Sequence, residues 1–318
     1  MNICVTGATG FCGSHLVDLL LARRPADRVT VFARWRSHGY MANLAHLPSG
    51  AIDLAWGDLT DPWSVRRIIQ DLQPDWLFHV AAHTHVPYSY GSPTATLDTN
   101  AQGTINLLEA LRTYAPACKT LIVSSGEVYG HHDDTITEAS ALNPRSPYGL
   151  GKLAEDRAAY MYQQAYGLPI LIARAFSQSG PRKFEGLMDS SWSQQIARME
   201  RSTETPILYH GTLDTIRTFC DVQDMVEAYL LFMERGEPGD LYNINGFDTI
   251  VMAEIVTHLR GMTSVKFEQQ LDPKRLRPTD VGMLRPSCEP FKQRFGWRPT
   301  TPYWTSLLNL LNYWRARV

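Results

Sequence analysis

The chain has 318 residues, 44% of them hydrophobic and 19% charged, with a formal net charge of -2. That length can bury a full core in roughly two domains, or in one with a smaller appendage, and the mixed charge excludes both the basic field of a nucleic-acid binder and an acidic tail. The five cysteines (Cys4, Cys12, Cys118, Cys220 and Cys288) are scattered and in no CxxC spacing, which argues against a disulfide framework or a zinc site and for the reduced thiols of a cytoplasm.

Met1 to Val5 runs straight into a glycine cluster with no basic or apolar leader pattern, and no apolar run approaches the ~20 residues of a membrane span. Ile3-Cys4-Val5-Thr6 reads as a short buried strand. Gly7-Ala8-Thr9-Gly10-Phe11-Cys12-Gly13 follows, and then the helical pattern Ser14 to Leu21. Strand, glycine turn and helix is the order a pyrophosphate site requires: glycines permit the turn and a close backbone approach, and the helix start offers free N–H groups. The next strand, Arg28 to Phe32, ends in Ala33-Arg34-Trp35-Arg36-Ser37. An NAD site usually has an acid there. Two guanidiniums and a hydroxyl suit a 2′-phosphate, so NADP is expected, with NAD as the alternative.

Ala51 to Trp56 leads into Gly57-Asp58-Leu59-Thr60-Asp61, Ser64 to Gln70 has a helical period, and Trp76 to His83 reads as a strand ending in the small pair Ala81-Ala82. Helix from Asn100 to Leu111 and strand from Lys119 to Val123 continue the alternation. A doubly wound parallel sheet is expected. His83, His85, His131 and His132 have no Cys or carboxylate at ligand spacing, so no metal site is expected.

Val123 is followed by Ser124-Ser125-Gly126-Glu127-Val128-Tyr129-Gly130, which puts two hydroxyls and a carboxylate at the carboxyl end of a central strand, where ligands bind in such sheets. Further on, Asn143 to Lys152 presents Tyr148 and Lys152 four residues apart, on one face of a helix. A cation beside a phenol favours the phenolate and is expected to bring Tyr148 toward the working range. Such a pair suits proton transfer to a carbonyl oxygen held by Ser125 while hydride reaches its carbon. Beyond it, Ile170 to Arg174 reads as a strand and Ala175 to Lys183 as a loop; Trp192 to Glu200, Val222 to Glu234 and Trp304 to Trp314 read as helices.

Taken together, Gly7-x-x-Gly10-x-x-Gly13, Asp58-Leu59, Ala81-Ala82, Ser125 and Tyr148-x-x-x-Lys152 resemble the extended short-chain dehydrogenase/reductase superfamily over nearly the whole chain. His85 to Tyr90, Asp98-Thr99-Asn100, Ser124 to Gly130, Arg217-x-Phe219-x-Asp221-Val222-x-Asp224, Arg275 to Val281 and Gly296-Trp297-Arg298-Pro299 resemble its GDP-sugar branch. That branch holds GDP-mannose 4,6-dehydratases and GDP-4-keto-6-deoxymannose reductases.

The resemblance implies a Rossmann-like NADP-binding domain over residues 1–174 and a smaller α/β lobe over 175–318 that binds the sugar nucleotide, with some segments returning to the first domain. It implies Tyr148 as proton donor, Lys152 as its partner and ribose ligand, and Ser125 as holder of the substrate oxygen. Gly7, Thr9, Gly10, Phe11, Gly13, Arg34, Arg36, Ser37, Asp58, Leu59, Ala81, Ala82 and His83 would surround the cofactor; Val86, Gly126, Ser177, Gln178, Arg217 and Arg277 would face the substrate. Relatives usually read Pro-Phe-Asn-His where this chain has Ala175-Phe176-Ser177-Gln178. A homodimer or homotetramer is implied, with neither nucleic acid nor membrane as partner.

Reductases and dehydratases of the branch share the Tyr/Lys/Ser set. A dehydratase also needs a base, for which Glu127 is the candidate, and an acid, commonly Asp or Ser where this chain has Gly126. A glycine relays no proton. The expectation is therefore NADPH-dependent reduction of the 4-keto group of a GDP-4-keto-6-deoxy-hexose, giving a product of the GDP-rhamnose type. GDP-mannose 4,6-dehydration is the first alternative; an epimerase and a catalytically silent NADP-binding regulator stand behind it.

Overall fold

Strand β1 (Asn2–Thr6) is buried over all but its first residue, as a parallel strand covered on both faces should be. The computed structural model describes residues 1–35, 40–246, 249–279 and 281–318; Arg36 and Ser37, named above, and Asp280 within the Arg275 to Val281 phrase lie outside the described residues. After β1 come α1 (Phe11–Arg23), β2 (Arg28–Ala33), β3 (Asp53–Trp56), α2 (Pro62–Leu72), β4 (Trp76–His79), α3 (Val86–Gly91), α4 (Pro93–Leu97), α5 (Gly103–Tyr114), β5 (Lys119–Ser125) and α6 (Pro147–Tyr166). The rest is β6 (Ile170–Ala175), β7 (Ser177–Ser179), α7 (Met188–Met199), β8 (Ile207–His210), β9 (Ile216–Asp221), α8 (Val222–Arg235), β10 (Leu241–Ile244), β11 (Thr249–Val251), α9 (Met252–Gly261), β12 (Glu268–Leu271), α10 (Glu289–Phe295) and α11 (Tyr303–Arg315).

Seven strands form one sheet in the order β10-β6-β5-β4-β1-β2-β3, every pair parallel. The fold is the expected α/β architecture. From β1 the chain moves outward to β2 and β3, then returns to β4 on the other side of β1, so the carboxyl ends of β1 and β4 open the crevice where such sheets take ligands. Leu16 and Leu20 of α1 and Tyr229 and Phe232 of α8 cover one face. Val65, Ile69, Leu107, Leu111, Ala159 and Tyr162 from α2, α5 and α6 cover the other. A three-stranded sheet, β11-β9-β7, and a two-stranded one, β12-β8, accompany a separate apolar cluster that includes Trp192, Phe219, Ile255 and Leu307.

Three local departures from the sequence pattern have clear causes. β4 stops at His79 rather than His83, because the Asn100 carboxamide takes over the pairing of the His83 backbone, accepting its N–H at 2.7 Å and donating to its carbonyl at 3.1 Å. A π-helical turn, Asp98–Gln102, precedes α5, which therefore starts later than Asn100. Within the expected loop Ala175 to Lys183, the polar triplet Ser177–Ser179 pairs parallel with Phe219 to Asp221 of β9; its side chains carry no apolar alternation that would announce a strand. α6 is bounded as its sequence suggests. The Ser146 hydroxyl accepts the Gly149 N–H at 3.0 Å and Pro147 opens the helix, while Gly167 closes it at a φ of +69°. Removing the Ser146 cap is expected to cost about 1 kcal/mol. No helix among the described residues is long and apolar enough to cross a membrane.

Candidate active site

Gly7 has a φ of +68°, and a Cβ there would lie 2.7 Å from Ala81 backbone atoms; one on Gly13 would lie 2.2 Å from the Gly7 carbonyl oxygen. Both positions exclude side chains, so turn, helix and β4 exit pack backbone to backbone. Gly10 caps α1 without a side-chain hydrogen bond, which leaves first-turn N–H groups directed at the crevice. This cradle fits a dinucleotide pyrophosphate. Thr9 is buried and its carbonyl accepts the Asn43 amide at 3.0 Å, fixing the turn. Phe11 sets its ring edge-on to His15 at 5.9 Å.

At the far side of the crevice, one Asp58 carboxylate oxygen accepts both the N–H and the hydroxyl of Thr60, at 2.9 and 2.8 Å. Leu59 is buried, its carbonyl held by Asn106 at 2.8 Å. Burial lowers the His83 pKa; the Arg34 charge lowers it further and the Asp58 charge opposes them, so these three side chains share one corner. His83 Nδ1 is buried without a protein hydrogen-bond partner among the described residues. Beneath them His79 bridges Thr6 and Thr104, at 2.8 and 2.9 Å. The Thr104 hydroxyl spends its proton on the Asn100 carbonyl, so it must accept from His79 Nε2–H, and Nδ1 then accepts from Thr6. Burial, and secondarily the charge of Lys152, lowers the His79 pKa to about 3; the ring is a neutral strut.

Ser125 ends β5, and its hydroxyl accepts the Glu127 N–H at 3.2 Å and lies close enough to the Tyr148 phenol to act on its ionisation. Tyr148 and Lys152 are both buried on α6. Burial pushes the Tyr148 phenol up; the Ser125 hydroxyl pulls it down, while Glu127 and Glu155 push it further up. The expected lowering by Lys152 is not what the geometry delivers. The ammonium donates to the Val123 carbonyl at 2.6 Å and to the two carboxylate oxygens of Glu155 at 2.6 and 2.8 Å, so its charge is met at contact distance by an opposite one. Burial raises the Glu155 pKa to about 7 despite that contact.

On the substrate side, a Cβ on Gly126 would fall 2.4, 2.5 and 2.8 Å from three ring atoms of Phe176. Phe176 is buried and stacks on Tyr129, centroids 6.2 Å apart. The Tyr129 hydroxyl accepts from Arg174 at 2.8 Å and donates to Asn243 at 2.8 Å, and Arg174 grips both oxygens of Asp156 at 2.9 and 3.0 Å. Glu127 faces Arg277 at 3.9 Å. The Arg277 charge also reaches His85, whose pKa is lowered first by burial. Val86 is buried at the start of α3, and Ser177 is half-buried on β7. Gln178 turns its amide to the buried Tyr229 hydroxyl at 3.1 Å and so faces α8. Arg217, largely buried on β9, donates to the Ile216 carbonyl at 2.8 Å.

Ser125, Glu127, Tyr148 and Lys152 thus meet at one sheet edge, and Arg277 joins them through Glu127. Sequence reasoning missed Glu155 and Phe176. Glu155 had a signal, since it lies three residues after Lys152 and shares its helix face. Among the described residues no three metal-binding side chains converge.

The family described as GDP-mannose 4,6 dehydratase matches residues 4–306. GDP-6-deoxy-D-mannose reductase of Pseudomonas aeruginosa is 32% identical, over 100% of this chain and 98% of its own. GDP-mannose 4,6 dehydratase 1 of Arabidopsis thaliana is 28% identical, over 93% of this chain and 84% of its own. Among solved structures, RMD from Pseudomonas aeruginosa complexed with NADPH superposes with a TM-score of 0.84 at 30% identity, covering 100% of both chains. With the glycine cradle and the Ser125/Tyr148/Lys152 cluster in place, the chain belongs to the GDP-mannose 4,6-dehydratase-like family of extended short-chain dehydrogenases/reductases.

Proposed function

We propose that the protein uses NADPH to reduce the 4-keto group of a GDP-4-keto-6-deoxy-hexose, giving a GDP-6-deoxyhexose of the GDP-rhamnose type. The observation that carries this choice is the packing at Gly126. Dehydration needs an acid beside the base, and Phe176 fills the space that any side chain at 126 would enter. The full-length similarity to a GDP-6-deoxy-D-mannose reductase supports the same side. GDP-mannose 4,6-dehydration is the second reading, favoured by the retention of Glu127 in the cleft.

In this reading residues 1–174 hold the cofactor and residues 175–318 mainly the sugar nucleotide. Gly7, Gly10, Gly13 and the start of α1 would hold the pyrophosphate; Arg34, with Arg36 and Ser37, the 2′-phosphate; Asp58 and Leu59 the adenine. When bound, the nicotinamide supplies hydride. Ser125 orients the ketone oxygen, and Tyr148 gives it the phenolic proton as the carbon is reduced. Lys152 would reach the ribose edge by releasing the Val123 carbonyl. Arg217 and Arg277 would clamp the diphosphate, for which guanidiniums are suited.

Mixing protein, NADPH and the 4-keto sugar nucleotide is expected to consume nicotinamide absorbance in step with product. Conversion of GDP-mannose to a 4-keto product without added reductant, and no NADPH consumption, would reverse the choice.

A further inference from the structure

Tyr148, Lys152 and Glu155 lie on one face of α6, turned toward β5. The three N–H donors of an ammonium find the Val123 carbonyl and both Glu155 oxygens within 2.8 Å. Glu155 is fully buried and Lys152 nearly so. The next acid along, Asp156, is committed to Arg174 on β6, so the adjacent carboxylates have separate partners and Glu155 belongs to Lys152.

A ketone reductase and a nicotinamide-dependent alcohol dehydrogenase can share a Tyr/Lys pair but need opposite starting states. Reduction begins with a phenol that donates; oxidation begins with a phenolate that accepts. A bare ammonium one helical turn from the phenol favours the phenolate, and an ammonium matched at contact by a carboxylate, as Glu155 is above a pH of about 7, loses most of that leverage. The other groups facing this cluster do not restore it. His79 of β4 is neutral, Glu127 after β5 is an acid that opposes the phenolate, Tyr229 of α8 is an un-ionised phenol, and Ser125 contributes only a hydroxyl.

We propose that Glu155 is a positioning residue that pins and neutralises the Lys152 ammonium, so that Tyr148 rests as a proton-donating phenol and the site is biased toward ketone reduction. The step balances as hydride added to the carbonyl carbon, the Tyr148 proton added to its oxygen, the nicotinamide oxidised, and the phenolate reprotonated from water. The proposal rests on the reductase reading for its direction, while the electrostatic part stands on the α6 geometry.

The test is Glu155→Gln, which keeps the shape and removes the charge, read in two ways. In the cofactor-free protein, phenolate absorbance is titrated against pH, each protein compared with its Tyr148→Phe counterpart. Phenolate from Tyr148 should appear at least about one pH unit lower in Glu155→Gln, about a tenfold change in the ionisation constant. In NADPH-dependent turnover, the alkaline limb of kcat/KM should fall to lower pH by a similar amount with KM for the sugar nucleotide little changed, and Glu155→Asp should restore the limb toward wild type. An unchanged phenolate onset, or a limb that Asp does not restore, overturns the proposal. If wild type fails to oxidise NADPH with the ketone, the reductase reading falls and the titration still decides Glu155. Should Glu155→Gln not fold, the double variant Lys152→Met/Glu155→Met serves. An onset close to wild type supports mutual neutralisation, and an onset about one pH unit higher shows that Lys152 had been acting on the phenol all along.

Discussion

Gly126→Ala isolates the contact on which the choice of reaction depends. Gly126 does not require a positive φ, so the substitution is not opposed by backbone conformation, and at an open site it would stabilise by about 0.4–1 kcal/mol through the unfolded chain. Here the new methyl meets Phe176 at 2.4–2.8 Å, inside the distance any real Cβ tolerates. Phe176 cannot slide freely, because Tyr129 is stacked on it and is itself fixed by Arg174 and Asn243. Overpacking of this kind costs about 1–3 kcal/mol. Phe176→Ala alone should cost about 3–5 kcal/mol, and it vacates the space the methyl needs. The two changes must therefore couple: in the Phe176→Ala background Gly126→Ala should be neutral or mildly stabilising, a coupling of about 1 kcal/mol or more. Urea unfolding of the four proteins, with unchanged m values, measures it. Additivity within about 0.5 kcal/mol would show that Phe176 does not wall off position 126, and the argument against a proton relay there would fall.

The cofactor-free protein should lose stability as pH falls below about 6.5, because His79 is neutral in the fold down to about pH 3 and protonates first in the unfolded chain. Between pH 6.5 and 5 that term is worth about 2 kcal/mol, and His79→Gln should flatten the urea-midpoint profile by that amount; an unchanged slope would clear His79. Gly7→Ala should lose about 1–2 kcal/mol to the left-handed backbone alone, and with its Cβ against Ala81 both melting temperature and NADPH fluorescence titration should register a deficit. Arg34→Ala should cut the preference for NADP over NAD by about tenfold or more, as expected for one lost charge-assisted contact, and equal loss for both nucleotides in binding titrations would contradict its role. Glu127→Gln should retain NADPH-dependent reduction within about tenfold, whereas loss of a general base costs about 10²–10⁴, so a fall of that size in turnover would return Glu127 to service as a base.

What could be read from the chain was what the chain decides locally. A left-handed Gly7 and an uncapped helix start are properties of a few consecutive residues, and the glycine spacing exposed them. β1 and β5 are apolar runs because both their faces are covered, and α6 carries its own start and stop in Ser146, Pro147 and Gly167. What could not be read depended on distant partners. β7 is a strand only because β9 pairs with it, and β10 joins the main sheet only by docking on β6. Gly126 was legible as a missing acid, but the ring that closes the space comes from beyond β6. Gln178 stood at a substrate position, and the buried Tyr229 on α8 claims its amide. Glu155 was visible as a charge three residues from Lys152, yet only its burial shows that it is a committed partner rather than a solvated face.

If the serine, tyrosine and lysine act as proposed, they could serve hydride transfer in either direction, so direction would be set by their surroundings, of which three are distinct here. Phe176 denies position 126 a side chain, Arg277 stands across from the Glu127 carboxylate, and Glu155 offsets the cation that would otherwise favour a phenolate. The three differ in kind: the first is steric, the second pairs a carboxylate with a guanidinium, and the third is buried electrostatics on α6, to which the Glu127 charge also contributes. A single substitution therefore removes one obstacle and leaves two. Opening position 126 supplies room for an acid while Tyr148 still rests as a phenol, and freeing Lys152 supplies a phenolate while no acid stands ready to protonate a leaving hydroxyl. On the proposed reading, a change of reaction class in this scaffold would require changes at 126 with 176 and at 155 together.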